Sequence, residues 1–413
     1  MQWINRKALD ELLTTAVANP YSSFYTGKYR DSGIEADAEH FSQLPFVTRT
    51  ELVHTPLVRR TFVAKEAVRF IAFTSGTSAS VPLITPFSEV ENYFFEPSLG
   101  LPVARPLIIY PPLNKNFGAS FIQQCRQAKQ PVSPIFADFQ NLANSALIAK
   151  ELVCDSMYAT PTIAALFAEQ ARSLGIAGSF KLLALSSETL TEARRTELGR
   201  AYPNASIANL YASSEIGQFA MAPCPAIIGR GVSEFHVIAP ALAAVEIVDG
   251  ELVVSYGLNR AMPLIRYRTG DFFEAGGSCD CGLPGPVLRW SHRDADRVRI
   301  NGMEFTVEEA DRIMGGLPHM SSPRYQVHFE AGEGAAVAMR VEIADPALAA
   351  RSEEARAMAR SIERDLPARW RISSNATLQT AIERGLLSSV RVAIVPQVSS
   401  PGAKARRFVN HVR

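Results

Sequence analysis

The segment "KLLALSSETLTEARRTELGRAYPNASIANLYASSE", residues 181–215, predicts a strand, a helix and a second strand in that order. The apolar runs at 181–187 and 207–213 are typical of buried strands. Between them, residues 191–202 have the composition of a helix, and Thr191 stands where a hydroxyl can cap its first turn. Two strands joined by a helix imply a parallel sheet with helices packed on it.

The alternation extends in both directions along the chain. A strand is predicted at 106–112, and helices at 139–153 and 161–175. From about Ala243 short strands and turns replace it, beginning with a hairpin around Asp249 and Gly250. After Trp290 a smaller unit follows, for which we predict a strand at 336–344, a long helix at 346–366 and a final strand at 391–396. We therefore predict an α/β protein with a large N-terminal domain of layered sheets and helices, residues 1–294, and a small α+β C-terminal domain, residues 295–413.

The composition is that of a globular protein. The 413 residues suit two domains, and 47% hydrophobic with 20% charged residues is sufficient for a sizeable core. A net charge of +1 argues against a nucleic-acid binder. The chain contains no run of eighteen apolar residues, and its first twenty residues predict an amphipathic helix rather than a signal peptide. We therefore expect a cytoplasmic protein without membrane or nucleic-acid partners.

Polar motifs recur at several strand ends. The first, "FTSGTSASVPL" at 73–83, is rich in hydroxyls but lacks the Gly-Lys-Ser/Thr ending of a P-loop. Taken alone, it is equally consistent with a serine- and threonine-rich turn. The motifs that follow it in order are "SSETL" (186–190), "YASSE" (211–215), "YRTGD" (267–271), "HRDADRVRINGMEF" (292–305) and "PGAKARRF" (401–408).

This ordered set resembles the AMP-forming adenylating enzymes, which include acyl-CoA ligases and the adenylation domains of peptide synthetases. It is most similar to the phenylacetate–CoA ligase branch, and the opening segments "NPYSSFYTGKYRDSGI" (19–34) and "LPFVTRTEL" (44–52) extend the likeness to the N-terminal region. The resemblance implies that a carboxylic acid attacks the α-phosphate of ATP, with magnesium as a cofactor, and that pyrophosphate leaves. It also implies that the acyl group passes to a thiol and that the C-terminal domain is a mobile lid.

Such a reaction needs groups that hold phosphates and neutralise charge on the leaving group. Tyr211 offers a flat ring for adenine, a contact of about 1–3 kcal/mol. Glu215 offers a carboxylate for Mg²⁺, which prefers oxygen ligands. Backbone amides and hydroxyls can surround the β- and γ-phosphates at Thr74, Ser75, Gly76, Thr77 and Ser78.

The remaining roles come from the resemblance. Asp271 matches the aspartate that binds both ribose hydroxyls, and Arg293 matches the arginine that contacts ribose and phosphate from the domain junction. Lys404 matches the lysine that bridges the carboxylate and the α-phosphate, so the catalytic set is Lys404, Glu215 and Arg293. The other nucleotide-binding residues expected are Ser187, Glu188, Ala212, Ser213 and Ser214.

Each residue also has an ordinary structural interpretation. Tyr211 can be a core aromatic, Asp271 can make an Asx-turn, and Lys404 lies in a basic tail where most lysines are solvated. Only the ordered set of motifs favours the functional interpretation.

Several positions depart from the resemblance, among them Ala79, Leu83, Ala295, the "SSE" at 213–215 and the extra residue in "PGAK" at 401–404. Ala79 replaces a glycine of the phosphate loop, which restricts the loop if that position needs a positive φ. Leu83 stands where many relatives carry a lysine. Ala295 replaces the first of two aspartates, which in relatives is the pivot between the adenylating and the thiol-transfer orientations.

A Cys₃His set predicts a structural zinc site. Cys279 and Cys281 supply half of a tetrahedral site, and Cys224 and His236 complete a closed composition. Relatives of the phenylacetate type resemble this arrangement. The alternative is four unrelated loop residues, with Cys224 a buried thiol.

The substrate and the acceptor are less defined. The aromatic and small residues in the expected pocket favour an aryl acid. The expected pocket residues are Asn116, Phe117, Gly118, Ala119, Ser186, Ala212, Ile216 and Gly217. Three functions stay open: an acid–thiol ligase that uses CoA, adenylation with transfer to a carrier protein or a nitrogen nucleophile, and a nucleotide-binding scaffold without turnover. A homodimer is also left open.

Overall fold

The computed structural model describes residues 1–73, 82–88, 100–109, 132–213, 215–216, 218–237, 242–283, 285–317, 324–373, 375–399 and 406–412. These residues form two compact units. Unit 1 contains Met1–Phe136, Cys154–Ser156 and Ser206–His292, and unit 2 contains Ala137–Val153, Met157–Ala205 and Arg293–Arg413. Unit 2 thus joins residues 137–205 to the C-terminal part, whereas the sequence suggested two contiguous domains. The division into residues 1–294 and 295–413 stays a prediction.

Unit 1 is built on a large sheet. Its helices are α1 (Arg6–Val17), α2 (Phe24–Ser32), α3 (Arg49–His54) and, later in the chain, α7 (Pro225–Arg230). Its strands are β1 (Gln2–Ile4), β2 (Phe70–Phe73), β3 (Ile84–Phe87), β4 (Pro106–Ile109), β5 (Ile135–Ala137), β8 (Ser206–Ala212), β9 (Gln218–Ala222), β10 (Glu234–Val237), β11 (Ala244–Val248), β12 (Glu251–Tyr256), β13 (Leu264–Ala275) and β14 (Val287–Arg293).

Eight of these strands are neighbours in the order β1-β11-β12-β13-β14-β10-β9-β8. The pairs β1–β11, β11–β12, β12–β13, β10–β14, β9–β10 and β8–β9 are antiparallel. The β11–β12 hairpin turns at Asp249 and Gly250, both with positive φ, as the sequence predicts. Helix α1 buries Leu9, Leu12, Leu13 and Ala16, which share one face because a helix repeats every 3.6 residues. The sheet and this helix enclose the core of unit 1.

Unit 2 combines helices, a four-stranded sheet and shorter strands. Its helices are α4 (Leu142–Glu151), α5 (Pro161–Ser173), α6 (Glu192–Ala201), α8 (Val307–Gly315), α9 (Pro346–Ala349), α10 (Ser352–Arg369) and α11 (Leu378–Glu383). Its strands are β6 (Ser156–Ala159), β7 (Leu182–Ser186), β15 (Arg297–Ile300), β16 (Met303–Thr306), β17 (Tyr325–Ala331), β18 (Val337–Ala344), β19 (Arg371–Ser373), β20 (Ala376–Thr377), β21 (Leu387–Val395) and β22 (Phe408–Asn410). Four of them form a sheet in the order β21-β18-β17-β22, in which β17–β18 is antiparallel and the two outer pairs are parallel.

The elements of the opening segment form where the sequence predicts them. Thr191 caps α6, since its hydroxyl accepts a hydrogen bond from the amide of Arg194 at 3.3 Å. Two predictions in the C-terminal part were wrong. The long helix at 346–366 is interrupted at Arg351, whose ψ of 75° is not helical, so α9 and α10 are separate. The strand at 391–396 is not the last, because β22 follows it.

Among the described residues, no helix combines the length and the apolar character that crossing a membrane requires.

Candidate active site

Two motifs that are distant in sequence meet in unit 1 through Tyr211 and Asp271. Tyr211 lies near the end of β8, and its hydroxyl donates a hydrogen bond of 2.7 Å to Oδ2 of Asp271 in β13. Both residues are buried. The phenol therefore orients the carboxylate that the sequence assigns to ribose.

The ring of Tyr211 lies among other aromatic residues. Its centroid is 5.2 Å from that of Phe273, with the rings perpendicular, and 6.2 Å from those of Phe235 and Trp290. Such packing fixes the ring and its hydroxyl. Tyr211 is therefore a core aromatic residue, as its ordinary structural interpretation holds. Its stacking on adenine stays a prediction.

A local irregularity in β13 presents Asp271. Gly270 has a φ of 74°, which only glycine adopts readily, and the pairing with β12 shifts register between Glu251 and Val253. The amide of Gly270 donates to the Glu251 carboxylate at 2.9 Å, and the amide of Asp271 donates to the hydroxyl of Thr269 at 3.1 Å. The hydroxyl of Thr269 and the positive φ of Gly270 explain why a threonine and a glycine precede the aspartate in "YRTGD".

Glu215, the expected magnesium ligand, is buried beside Arg49. Its Oε1 accepts a hydrogen bond of 2.6 Å from Nη1 of Arg49, and its carboxylate is near enough to Tyr267 to affect the pKa of that phenol. Burial and the nearby Glu215 carboxylate raise the pKa of Tyr267 well above its ordinary value, so the phenol stays protonated and can donate. The sequence did not assign a role to Arg49.

The position of Arg49 follows from the segment that precedes it. Val47 forms a parallel bridge with Tyr267, donating to Arg266 O at 3.0 Å and accepting from the amide of Arg268 at 2.9 Å. The segment "LPFVTR" is thus fixed beside β13, and Arg49 begins α3 two residues later. The feature of the sequence that could have pointed to Arg49 was the likeness of this segment to the opening region of the phenylacetate-type relatives.

A hydrogen bond links Ser213, which follows β8, to the residue after Glu215. Ser213 accepts a hydrogen bond of 3.2 Å from the amide of Ile216, and Ala212 is the last residue of β8. Ile216 is fully buried in the core of unit 1. As a substrate-pocket residue it stays a prediction.

In unit 2 the end of β7 carries three of the expected residues. Ser187 has a φ of 73°, a conformation that costs a non-glycine residue roughly 1–2 kcal/mol and is common at functional sites. Glu188 accepts a hydrogen bond of 3.1 Å from the amide of Thr162, so its carboxylate lies at the N-terminus of α5, where a negative charge is favoured. The hydroxyl of Ser186 is buried without a hydrogen-bond partner among the described residues.

Arg293 ends β14 and precedes a 3-10 turn at Asp294–Asp296. The hydroxyl of Thr189 donates to Oδ2 of Asp296, the second of the two positions that are aspartates in relatives. Ala295, at the first position, lies within this turn. The expected contacts of Arg293 with a nucleotide stay a prediction.

The four residues of the expected metal site come together in unit 1. Their ligand atoms all lie within 4.8 Å of one another, with 3.5 Å between the sulfurs of Cys224 and Cys279 and 3.2 Å between the sulfur of Cys281 and Nε2 of His236. None of these three cysteines forms a disulfide. A tetrahedral zinc ion with Zn–S bonds of about 2.3 Å separates its ligands by roughly 3.5–4 Å. The distance between Cys224 and Cys279 falls in this range, whereas Cys281 and His236 would have to move apart by a few tenths of an ångström to bind the ion.

The pKa shifts of the histidine and two of the cysteines are also compatible with binding of a metal ion. Burial, and then the charge of Arg230, lower the pKa of His236 and keep the imidazole neutral as a ligand must be. The backbone amide of Cys281 lowers the pKa of Cys279, whereas burial raises that of Cys224 to about 11. A buried thiol that resists ionisation becomes a thiolate readily only when a cation is present.

Several of the expected residues lie outside the described part of the chain: Thr74, Ser75, Gly76, Thr77, Ser78, Ala79, Asn116, Phe117, Gly118, Ala119, Ser214, Gly217 and Lys404. The described residues therefore do not test the phosphate loop, most of the substrate pocket or the lysine.

Comparison with known proteins places these motifs in a wider context. No protein-family model matches the chain. The chain is 24% identical to a phenylacetate-coenzyme A ligase of Thermus thermophilus, over 83% of its own length and 82% of that protein.

Solved structures of acid–CoA ligases share the fold. A 2-hydroxyisobutyryl-CoA ligase in the postadenylation state, in complex with 2-HIB-AMP, is 15% identical with a TM-score of 0.71, covering 98% of this chain and 88% of that one. An anthranilate CoA ligase in complex with anthranoyl-AMP is 14% identical with a TM-score of 0.51, covering 84% and 66%. The comparisons confirm the predicted α/β fold and the resemblance to AMP-forming ligases of the phenylacetate–CoA ligase branch.

Proposed function

We propose that this protein is an ATP-dependent, AMP-forming acid–thiol ligase. The observation that carries the proposal is the hydrogen bond between Tyr211 and Asp271, which joins two of the family's motifs within the fold of acid–CoA ligases. The Arg49–Glu215 pair, with 2.6 Å between Nη1 and Oε1, joins the opening segment of the chain to the same "YASSE" motif that contains Tyr211. The presence of Glu215, Asp271, Arg293 and Lys404 together argues against a scaffold without turnover.

The described residues divide the work of the first half-reaction. Tyr211 fixes the orientation of Asp271, which accepts hydrogen bonds from the ribose hydroxyls. Arg49 holds the carboxylate of Glu215 in place for a magnesium ion. When it is bound, magnesium neutralises phosphate charge and ATP supplies the adenylyl group. Lys404 would then stabilise the charge on the reacting carboxylate and phosphate.

The acid is proposed to be aromatic. The phenylacetate-coenzyme A ligase and the anthranilate CoA ligase support an aryl substrate, and the small and aromatic residues expected in the pocket agree with it. Since the 2-hydroxyisobutyryl-CoA ligase has the same fold, short 2-hydroxy acids belong in any substrate panel.

The acceptor is proposed to be CoA. Each of the three similar proteins is named as a CoA ligase, which favours CoA over a carrier protein or a nitrogen nucleophile.

Product analysis by mass spectrometry tests the reaction. The protein is incubated with ATP, Mg²⁺ and CoA, and with benzoates, phenylacetates, cinnamates or 2-hydroxy acids. We expect AMP and an acyl-CoA from one class, and the acyl-adenylate alone when CoA is omitted. Asp271→Asn should abolish both products, whereas Asp249→Asn, at the exposed turn of the β11–β12 hairpin, is a control that should retain them.

The outcomes separate the alternatives. Formation of an acyl-adenylate that never becomes an acyl-CoA would replace CoA by another acceptor. Formation of ADP instead of AMP would contradict the proposal.

We also propose that Cys224, His236, Cys279 and Cys281 bind a structural zinc ion. Four protein ligands fill a tetrahedral shell and leave no position for substrate, so the ion would stabilise the fold rather than take part in the chemistry. The ion would join α7, β10 and the segment between β13 and β14.

A further inference from the structure

A network of buried polar side chains in unit 2 is centred on Asp311 of α8. Its Oδ1 accepts a hydrogen bond of 2.6 Å from the hydroxyl of Tyr325, and its Oδ2 accepts one of 2.8 Å from Thr191. The guanidinium groups of Arg407 and Arg194 lie 3.6 and 4.0 Å from Oδ1. All five residues are buried.

The charges of this network support one another. Burial opposes ionisation of Asp311, but Arg407 and Arg194 together lower its pKa below the ordinary value. Burial likewise opposes the charge on Arg407, but Asp311, Tyr325 and Glu188 raise its pKa. Asp311 and Arg407 are therefore both charged at neutral pH.

Arg407 connects the network to the expected nucleotide-binding segment. Its Nη2 donates to the hydroxyl of Thr162 at 3.3 Å, and the amide of Thr162 donates to the carboxylate of Glu188 at 3.1 Å. Its guanidinium also lies 4.6 Å from the centre of the Tyr325 ring, which limits its rotation. The contacts run from Asp311 through Arg407 and Thr162 to Glu188.

Two further hydrogen bonds hold the expected nucleotide-binding segment, residues 188–191. Thr189 donates to Asp296 and Thr191 donates to Asp311. Groups from residues 293–413 thus fix the segment 188–191 directly at Thr189 and Thr191, and indirectly at Glu188.

The backbone around Arg407 is also fixed. Its carbonyl accepts from the amide of Val327 at 2.8 Å, and the carbonyl of Arg406 accepts from the side chain of Gln326 at 3.0 Å. Arg407 follows Lys404 by three residues in the sequence.

We propose that Arg407 and Asp311 are positioning residues of the adenylation half-reaction, which act on the segment 188–191 and, through Thr162, on the carboxylate of Glu188. The inference rests on the proposed function. A buried ion pair stabilises a fold little more than apolar side chains of the same volume, so stability alone does not account for three charged groups around this segment. The resemblance implies a C-terminal lid that changes orientation between the two half-reactions. The contacts between residues 293–413 and 157–205 belong to the orientation described here, which we take to be that of adenylation, so transfer to the thiol should not depend on them.

Two variants test the inference, Arg407→Met and Thr162→Val. The first removes the charge but keeps an unbranched apolar chain, and the second removes only the hydroxyl that Arg407 contacts. Arg407→Lys, which retains the charge, should restore part of any loss. Two control variants lie on the same helix as Asp311. Arg312→Gln removes an ion pair with Glu309 at the surface. Ile313→Ala removes part of a fully buried side chain and so lowers the stability of the fold without touching the network.

Three measurements are compared: amide hydrogen exchange over residues 186–192, ATP–pyrophosphate exchange, and transfer of the acyl group from synthetic acyl-adenylate to CoA. In Arg407→Met we expect faster amide exchange and a loss of pyrophosphate exchange of about ten- to hundredfold, because a small misplacement is costly in a reacting complex. Thr162→Val should show a smaller loss of the same kind. Acyl transfer should remain within about threefold of the wild type in both variants.

Other outcomes overturn the inference. Amide exchange over 186–192 that is no faster than in Ile313→Ala would show that the contacts do not hold the segment. Equal losses in both half-reactions would show a general effect on stability. If the wild-type protein itself gives no pyrophosphate exchange with any acid, the proposed function fails, while amide exchange still decides whether the segment is held.

Discussion

The hydroxyl of Tyr211 is the residue-scale feature that the sequence did not predict. The motif "YASSE" predicted a ring for adenine, but hydrogen bonding to Asp271 depends on how β8 and β13 are brought together across the sheet. Arg49 was missed for the same reason, because 166 residues separate it from Glu215. Motifs predict which residue types the reaction needs, whereas the partners that orient them are set by tertiary structure.

We predict that Tyr211→Phe weakens ATP binding while the ring packing is retained. The lost hydrogen bond to a carboxylate contributes roughly 1.5–3 kcal/mol, so KM for ATP should rise about tenfold or more. The matched control is Tyr25→Phe, which removes a buried hydroxyl that donates to Pro263 O and accepts from the amide of Ile265. Steady-state kinetics and thermal unfolding of both variants check the prediction.

The control should melt at a lower temperature with KM for ATP unchanged. An unchanged KM for ATP in Tyr211→Phe would show that the hydroxyl does not orient Asp271.

At the scale of elements, the metal cluster depends on where separate elements begin and end. Cys224 is the N-cap of α7, His236 lies in β10, and Cys279 and Cys281 follow β13. The ligand set could be predicted because these residue types are typical of zinc. Its geometry depends on the pairing of β10 with β9 and β14, which periodicity does not give.

We predict that the purified protein contains about one zinc ion per chain and that Cys279→Ser with Cys281→Ser removes it. Loss of the ion should lower the melting temperature, by roughly 2–4 °C for each kcal/mol. Elemental analysis and thermal unfolding provide the test, with Cys154→Ser as a control at a buried cysteine outside the cluster. A protein that carries no zinc, or a double variant that keeps it, would rule out the site.

A second feature at the scale of elements is the carboxylate of Glu342 in β18, which binds Ser399 in the segment that follows β21. Its carboxylate accepts from the amide and the hydroxyl of Ser399 at 2.7 and 2.5 Å, and Arg340 donates to it as well. Burial alone would raise the pKa of Glu342, but the Ser399 hydrogen bonds and Arg340 lower it to about 2.

This low pKa predicts an acid-sensitive contribution to stability. A group whose pKa falls from 4.5 to about 2 on folding stabilises the protein above pH 4.5, by about 3 kcal/mol, and loses that contribution as the pH falls towards 2. Glu342→Gln should therefore be less stable than the wild type at pH 7, and the gap should narrow between pH 5 and pH 3. Urea unfolding at several pH values measures the gap.

Glu330→Gln is the control, since it affects the same Arg340 through an exposed carboxylate and should give a small gap at every pH. A gap for Glu342→Gln that is constant from pH 7 to pH 3 would contradict the prediction.

Secondary structure was predictable where local signals agree. Pro161 starts α5 and Gly175, with a φ of 71°, lies just beyond its end, and Thr191 caps α6. The break between α9 and α10 was not predicted, because the alanine- and charge-rich run favours a helix throughout. Asp345 nonetheless caps a separate short turn by accepting from the amide of Leu348 at 2.9 Å.

At the scale of the whole molecule, the order of the motifs predicted the fold, and the comparisons confirm it. Composition could not have done so, since a balanced charge and an ordinary apolar fraction are typical of most globular enzymes. The grouping of residues 137–205 with the C-terminal residues in unit 2 could not be predicted, because it depends on buried contacts such as Thr191 with Asp311.

The most direct test of the proposed function is acid-dependent ATP–pyrophosphate exchange with Mg²⁺, measured for the wild type, Asp271→Ala and Lys404→Ala. Exchange reports the reversible formation of an acyl-adenylate and does not depend on the acceptor. We predict exchange with at least one aromatic acid in the wild type and its loss in both variants. A folded wild-type protein that binds ATP but gives no exchange with any acid, or variants that exchange as fast as the wild type, would contradict the account.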